Sequence, residues 1–322
     1  MAADLEGYTH PRLRELIARA RATARQGAAL TPMALVHPGD AHALRAAAAM
    51  VDEGIAHPLL VGGRELIERA AEAAGLDASR FELIETSGDP KAAAARAVAL
   101  AREGVVQALM KGSLHTDEYL GAIVHRSAGL RLRDTRISHA FLFDLPRYHK
   151  LLALADCVVN VAPKLRAKHH ILANALRLLR TLGIAQPKVA VVAAVETVTE
   201  SIPATVDART LVGSARAGQF GSAVVEGPFG FDNAFSAEAA RIKGLKSLVA
   251  GDADLMLMPD LNAGNMLYKS FVYAGGAECA GLVLGVQVPV ILTSRADSQL
   301  ARLASVALAV LAGRDERKAD DP

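Results

Sequence analysis

A chain of 322 residues exceeds one typical domain and points to two. Hydrophobic residues make up 52% of it, against 4% aromatics and no Trp, so its core has to be aliphatic, built from Ala, Leu and Val. Lys and Arg total 36 against 34 Asp and Glu, and the formal charge of +2 excludes a protein that coats nucleic acid while leaving local basic groups for an anionic ligand.

In chain order, the first residues carry Asp4 and Glu6 and lack a continuous apolar core, so no signal peptide is expected. Pro11–Arg25 reads as an amphipathic helix. Met33–His37 follows as a short strand, with Asp40 placed to cap the helix Ala41–Val51. Pro58–Val61, helix Glu65–Ala74, Phe81–Ile84, helix Lys91–Arg102, strand Gln107–Met110 and helix Asp117–Val124 continue the alternation. Short strands separated by helical patterns indicate βαβ units and a parallel sheet.

Around Ser138 the pattern changes. Ala140–Leu145 is a longer strand, and Leu151–Ala155 with Val158–Val161 reads as an irregular or antiparallel pair. Helix Pro163–Leu182 precedes the strand Lys188–Ala194, whose unbroken Val/Ala run indicates burial on both faces. Ala208–Ala217 reads as helix, Ala223–Val225 as strand and Ala237–Lys243 as helix.

Two strand–turn–helix units close the chain. Asp254–Met258 stops at Pro259-Asp260, and Asn262 sits where an N-cap belongs, ahead of a helical rhythm that runs to Gly275-Gly276. Gly281–Val286 leads to Pro289–Leu292, and Thr293–Asp297 opens a last helix, strongly apolar over Gln299–Leu311. Gly313–Pro322 is charged and reads as a disordered tail. Polar side chains thus lie just beyond the carboxyl ends of strands, where open α/β sheets bind ligands.

Several chemistries are excluded by inspection. No apolar run approaches the ~18 residues of a membrane helix, so a soluble, cytoplasmic protein is expected. Cys157 and Cys279 sit in apolar runs and give neither a disulfide framework nor a zinc spacing. The P-loop, dinucleotide, zincin and nucleophile-elbow motifs are all absent, so no covalent nucleophile and no tightly bound cofactor or metal is announced.

What remains are polar groups at strand exits. Ser294 and Arg295 open a helix, where unpaired N–H groups and a guanidinium suit an anion, although Ser294-x-x-Asp297 is equally a capping box. Lys111, Gly112 and Ser113 follow a strand, and Thr116 is placed to cap the next helix. Lysine there supplies a point charge for phosphate, against the plainer reading of a strand-exit turn. Asp260, Asn262, Asn265 and Lys269 gather short polar groups at one edge, with Asn265 and Lys269 on one helix face, although turns and caps use the same residues. Ser138 and His139 open the second half; a lone histidine is as often structural as a ligand contact.

The ordered set of motifs resembles the phosphate acetyltransferase and butyryltransferase family. It comprises Met110-Lys111-Gly112-Ser113 with Thr116, Gly129-Leu130-Arg131, Ile137-Ser138-His139, Ala194-Val195-Glu196 with Pro203-Ala204-Thr205 and Asp207-Ala208, Gly227-Pro228 with Asp232-Asn233-Ala234, Pro259-Asp260 through Asn265 and Lys269, and Thr293-Ser294-Arg295-Ala296-Asp297-Ser298. The last segment is closer to the butyryl branch. The resemblance implies two three-layer α/β/α domains with a cleft between them, isocitrate/isopropylmalate dehydrogenase-like, spanning 1–138 plus 295–322 and 139–294. It implies an acyltransferase working on acyl-CoA and phosphate without a covalent acyl-enzyme, and a homodimer or higher oligomer. Ser294, Arg295 and Asp297 become the expected catalytic residues. Lys111, Ser113, Thr116, Ser138, His139, Asp260, Asn262, Asn265 and Lys269 become expected substrate contacts. Acetyl-type members carry an aspartate base seven residues after the motif serine; here that position is Ala301, so this assignment does not transfer. The competing readings are a non-catalytic acyl-CoA-binding partner module and a metal-dependent dehydrogenase of the same architecture.

Overall fold

The computed structural model describes residues 7–27, 29–294 and 296–319, with side chains as far as residue 313. The chain forms two compact units. The terminal unit holds Leu13–Ile137 and the residues from Ala280 onward; the central unit holds the described residues up to Arg12 and Ser138–Cys279. The return to the terminal unit falls at Ala280, fifteen residues before the expected position 295, because the strand pair ahead of the last helix already belongs there.

Helix α1 (Pro11–Arg25) buries Leu13, Leu16, Ile17, Ala20 and Ala24, one face at helical spacing. Strands β1 (Thr31–Val36), β2 (Ala56–Gly62), β3 (Glu82–Glu85) and β4 (Ala108–Lys111) alternate with α2 (Ala41–Asp52), α3 (Arg64–Ala74) and α4 (Pro90–Arg102), and α5 (Thr116–Val124) follows β4. Helix starts are chemically marked. The Asp40 carboxylate accepts from Ala43 N at 2.9 Å, and Asp89 caps α4 ahead of Pro90 in its first turn.

The central unit runs β5 (Ser138–Asp144), β6 (Leu152–Ala155), α6 (Leu165–Thr181), β7 (Lys188–Val192), α7 (Pro203–Arg216), β8 (Val224–Phe229), α8 (Phe231–Phe235), α9 (Ala237–Ile242), β9 (Leu255–Leu257) and α10 (Leu261–Tyr273). The chain then forms β10 (Glu278–Leu284), β11 (Val290–Ile291) and α11 (Gln299–Ala319).

Four expectations are corrected here. Val158–Val161 is not a strand; β6 instead pairs antiparallel with β5, and the N–H groups of Val158 and Val159 turn onto the Asp156 carboxylate. Helix α7 starts at Pro203 rather than Ala208, since proline fits the first helical turn. The N-cap of α10 is Asp260, which accepts from Ala263 N at 3.0 Å, and Asn262 lies inside the first turn. The charged tail continues α11 as helix to Ala319.

In the terminal unit the strand order is β3-β2-β1-β4-β11, all parallel, with β10 antiparallel beside β11. In the central unit it is β5-β6-β9-β7-β8, with β5 antiparallel and the other four parallel. Parallel strands end at one edge, so each unit gathers its strand-exit loops there. The central core is aromatic where the rest of the chain is aliphatic: Phe141 stacks on Tyr268, and Phe143 meets Phe271 edge-on, which seats α10 over β5.

Candidate functional site

At the exit edge of the terminal unit, β1, β4 and β11 end side by side. Gly112 and Ser113 leave β4 against β1, with Gly112 N donating to Val36 O and Ser113 N to His37 O, both at 2.9 Å. A Cβ at Gly112 would press into both of those carbonyl oxygens, so only glycine allows the approach. The Ser113 hydroxyl donates to Asp40 Oδ2 at 2.6 Å and accepts from Gly39 N at 3.0 Å. Burial raises the Asp40 pKa, but the hydrogen bonds from Ser113 and Ala43 and the Arg302 charge outweigh it, so the carboxyl ends below its ordinary value. His37 sits beside them at φ 52, a left-handed conformation uncommon outside glycine, with its buried Nδ1 unpartnered among the described residues. Burial holds its pKa down, and the charges of Glu118 and Asp89 oppose that.

Lys111 is buried at the end of β4, and its carbonyl accepts from the Thr293 hydroxyl at 3.0 Å, which ties β4 to the turn after β11. In that turn the Asp297 carboxylate accepts from Ser294 N at 2.7 Å, and the exposed Ser294 hydroxyl accepts from Ala296 N at 3.3 Å. One arm of the capping-box reading is therefore present, but in a turn and not at the helix start. The turn precedes the helix, and the side chain that caps α11 is Ser298, accepting from Ala301 N at 3.0 Å. Arg295 falls outside the described residues. Arg302, almost fully buried on α11, donates from Nη2 to Ser294 O at 2.7 Å and from Nε to Asp297 O at 3.3 Å. A cavity of about 430 Å³ is lined by Gly39, Asp40, His42, Ser113 and Arg302. A second, of about 550 Å³, runs along α2 from His42 and Arg45 to Asp297, Ser298 and Gln299.

Thr116 is exposed in the first turn of α5, not at its cap. His115 precedes the helix, and its N–H donates to the Glu118 carboxylate at 3.0 Å.

In the central unit the exit edge is organised by Asp156. Its carboxylate accepts from the backbone of His139, Val158 and Val159 and, at 2.6 Å, from Asn160 Nδ2. Asn265 Nδ2 donates to Cys157 O at 3.1 Å, and Gly264 lies so close to Asp156 O that a Cβ would collide. Asn262 and Lys269 are exposed on α10.

Ser138 and His139, expected as substrate contacts, are both fully buried. Neither reaches solvent, because β5 sends alternate side chains to two covered faces. Ser138 accepts from Asn174 Nδ2 at 3.0 Å. The His139 ring lies against Phe141, with neither ring nitrogen hydrogen-bonded among the described residues. Burial lowers the His139 pKa to about 4, the Asp156 charge opposing. Asp260, too, has one carboxylate oxygen engaged in its cap.

Glu196, Asp232, Asn233 and Lys243 close the far side of the same edge. Lys243 Nζ lies 2.5 Å from Glu196 Oε1 and 2.9 Å from Asp232 Oδ2, and Asn233 donates to Glu196. Among the described residues no three His, Cys, Asp or Glu side chains are grouped to hold a metal ion. Nor is any described helix long and apolar enough to cross a membrane.

Of the expected residues, Lys111, Ser113, Ser294 and Asp297 lie at strand exits of the terminal unit, and Asp260, Asn265, Ser138 and His139 lie in the central one. Sequence reasoning left out Asp156 and Arg302 and gave Asp40 only a capping role. The available signal for Arg302 was a lone charge between Ala301 and Ala304 on the buried stripe of the last helix.

The fold class is that of the dehydrogenase-like α/β enzymes. A 4-hydroxythreonine-4-phosphate dehydrogenase from Klebsiella pneumoniae matches with a TM-score of 0.55 over 88% of this chain and 99% of its own, at 14% identity, a likeness of fold alone. A branched-chain phosphotransacylase from Enterococcus faecalis V583 matches better, with a TM-score of 0.78 at 27% identity, again over 88% of this chain and 99% of that one. Residues 91–310 match the family described as Phosphate acetyl/butaryl transferase. The chain is 46% identical over 304 residues to a phosphate acetyltransferase of Rhizobium meliloti, covering 94% of each. It is 38% identical over 258 residues to a phosphate butyryltransferase of Clostridium acetobutylicum, covering 80% of this chain and 85% of that one. The chain belongs to the phosphate acetyl/butyryl transferase family.

Proposed function

We propose that this protein is an enzyme that exchanges a short-chain acyl group between coenzyme A and inorganic phosphate. A phosphate oxygen attacks the thioester carbonyl, a C–O bond forms, the C–S bond breaks, and the departing thiolate takes up a proton. No covalent acyl-enzyme is needed. The protein has to hold an anion beside the carbonyl and stabilise developing negative charge.

The observation that carries this reading is that parallel β4 and β11 exit side by side, with Arg302 bonded to the Ser294–Asp297 turn after β11 and lining the same cavity as Ser113 after β4. Ser294 and Arg295 are assigned to the phosphate and the oxyanion, and Lys111 and Ser113 to positioning the anion. On the central unit, Asn262 and Lys269 are assigned to coenzyme A contacts, since both are exposed at the start and on the face of α10. Asn265, Asp260, Ser138 and His139 instead hold the edge in shape, and Thr116 is left without a role. Asp297 is assigned to shaping the turn, because its carboxylate is already engaged by Ser294 N.

The enzyme is further proposed to be a cytoplasmic homo-oligomer that takes acyl-CoA and phosphate as substrates and keeps no tightly bound cofactor. Relatives of both the acetyl and the butyryl name match, so the acyl range is proposed to run from acetyl to butyryl. Phosphate-dependent release of coenzyme A, with an acyl phosphate appearing in the phosphorus NMR spectrum, is the expected result. Hydrolysis of acyl-CoA to free acid, independent of phosphate, would overturn the proposal.

A further inference from the structure

We propose that Arg302 is a positioning residue that sets the Ser294–Asp297 turn, rather than a residue that merely fills the core of α11. This rests on the reading of that turn as part of the transfer site. Three observations support it. The residue is 5% exposed, and a buried guanidinium is retained only where its donors are engaged. Those donors reach outside its own helix, to the carbonyl oxygens of Ser294 and Asp297, the two ends of the turn. Arg302 also lines the cavity that contains Asp40 and Ser113, and its charge helps hold the Asp40 carboxyl ionised.

The geometry makes the residue a spacer between three strand exits. Asp40 follows β1 and Ser113 follows β4, hydrogen-bonded to each other at 2.6 Å. The Ser294–Asp297 turn follows β11, and Arg302 connects it to the cavity between them. Two carbonyls bound by one planar fork hold Ser294 and Asp297 in place relative to each other. With the two held, the Ser294 amide donates to the Asp297 carboxylate and Ser294 stays exposed. The adjacent helix position offers no substitute, since Ala301 is buried and apolar.

The test uses the whole chain with Arg302→Gln and Arg302→Lys. Hydrogen exchange is read at the amides of Ser294 and Asp297 and, for comparison, at interior amides of α11 such as Ala307 and Leu308. Steady-state kinetics for phosphate and acyl-CoA are measured in parallel. In Arg302→Gln the turn amides are expected to exchange ~10-fold or more faster while the helix amides keep their protection, the loss of a charge-assisted hydrogen bond being local. The rate constant kcat is expected to fall ~10²-fold, as for a displaced reacting group, with the KM for acyl-CoA within about threefold of the parent. Arg302→Lys keeps the charge without the fork and is expected to lie between the two. It also serves if the glutamine variant does not fold. Unchanged turn exchange in a folded variant, or uniform loss of protection along α11 in both variants, would overturn the proposal. If the parent lacks transfer activity, the functional reading fails instead, and the exchange data alone decide the role of Arg302.

Discussion

At the scale of single residues, the two units use polar groups at their strand exits in the same way. Asp40 and Asp156 are both carboxylates at strand exits, and both are saturated by hydrogen bonds from neighbouring loops. Such carboxylates shape loops, and at Asp40 the hydrogen bonds help hold the carboxyl below its ordinary value, which makes it a poor proton acceptor. Asp297 likewise accepts a loop hydrogen bond, from Ser294 N at 2.7 Å. Asp297→Asn keeps an acceptor for Ser294 N and is expected to retain activity within about tenfold of the parent in the thiol-release assay. A loss of the ~10²–10⁴-fold typical of a missing general base, at unchanged Tm, would make Asp297 the base after all. His139 offers a pH test. Its pKa falls from the ordinary 6.5 to about 4 on folding, so between these values the unfolded chain binds the proton and the native protein does not. Its contribution to stability is therefore full above about pH 6.5 and is lost as pH falls toward about 4. Relative to the parent, His139→Phe is expected to flatten the decline of Tm across that window; parallel curves would show that the ring titrates normally.

At the scale of elements, much of the architecture was legible. The alternation of short apolar runs with helical patterns gave the parallel strands, and Asp40 was identifiable as the cap of α2 from its place alone. The misses share one cause, which is that local signals compete and only tertiary contacts choose between them. Asp260 and Asn262 are both good N-caps, and the winner is the one that Leu261 N, bound to Val161 O, leaves outside the helix. Val158–Val161 has strand propensity, but the Asp156 carboxylate captures its amides first. Ser138 and His139 look like exposed strand-entry residues until α6 and α10 cover both faces of β5. The position of Lys111, Ser113, Ser294 and Asp297 at strand exits was readable, because each follows a short apolar run. Arg302 was not, because helical periodicity marks a stripe as buried without saying what a charge within it reaches. Gly112 tests the packing of the exits. Gly112→Ala is expected to destabilise by ~1–3 kcal/mol, the usual range for overpacking, seen as a lowered Tm together with weakened activity. A variant with parental Tm would mean that β1 and β4 can part at no cost.

For the whole molecule, family membership and the exit-edge geometry lead to one chemistry, acyl exchange between a thioester and phosphate. Acyl chain length is set by pocket volume, and one methylene changes discrimination by only ~1–3 kcal/mol, so overlapping use of neighbouring acyl groups is expected. The Ser294–Ser298 segment resembles the butyryl branch, whereas the chain is 46% identical to a phosphate acetyltransferase and 38% to a butyryltransferase. The measurement that bears most directly on the central claim is release of coenzyme A thiol from acetyl-, propionyl- and butyryl-CoA by the purified chain, with and without phosphate. Release that requires phosphate, with propionyl- or butyryl-CoA at least as good as acetyl-CoA, is the predicted result. A strict preference for acetyl-CoA would remove the butyryl-like expectation, and no phosphate-dependent release from any of the three would contradict the function itself.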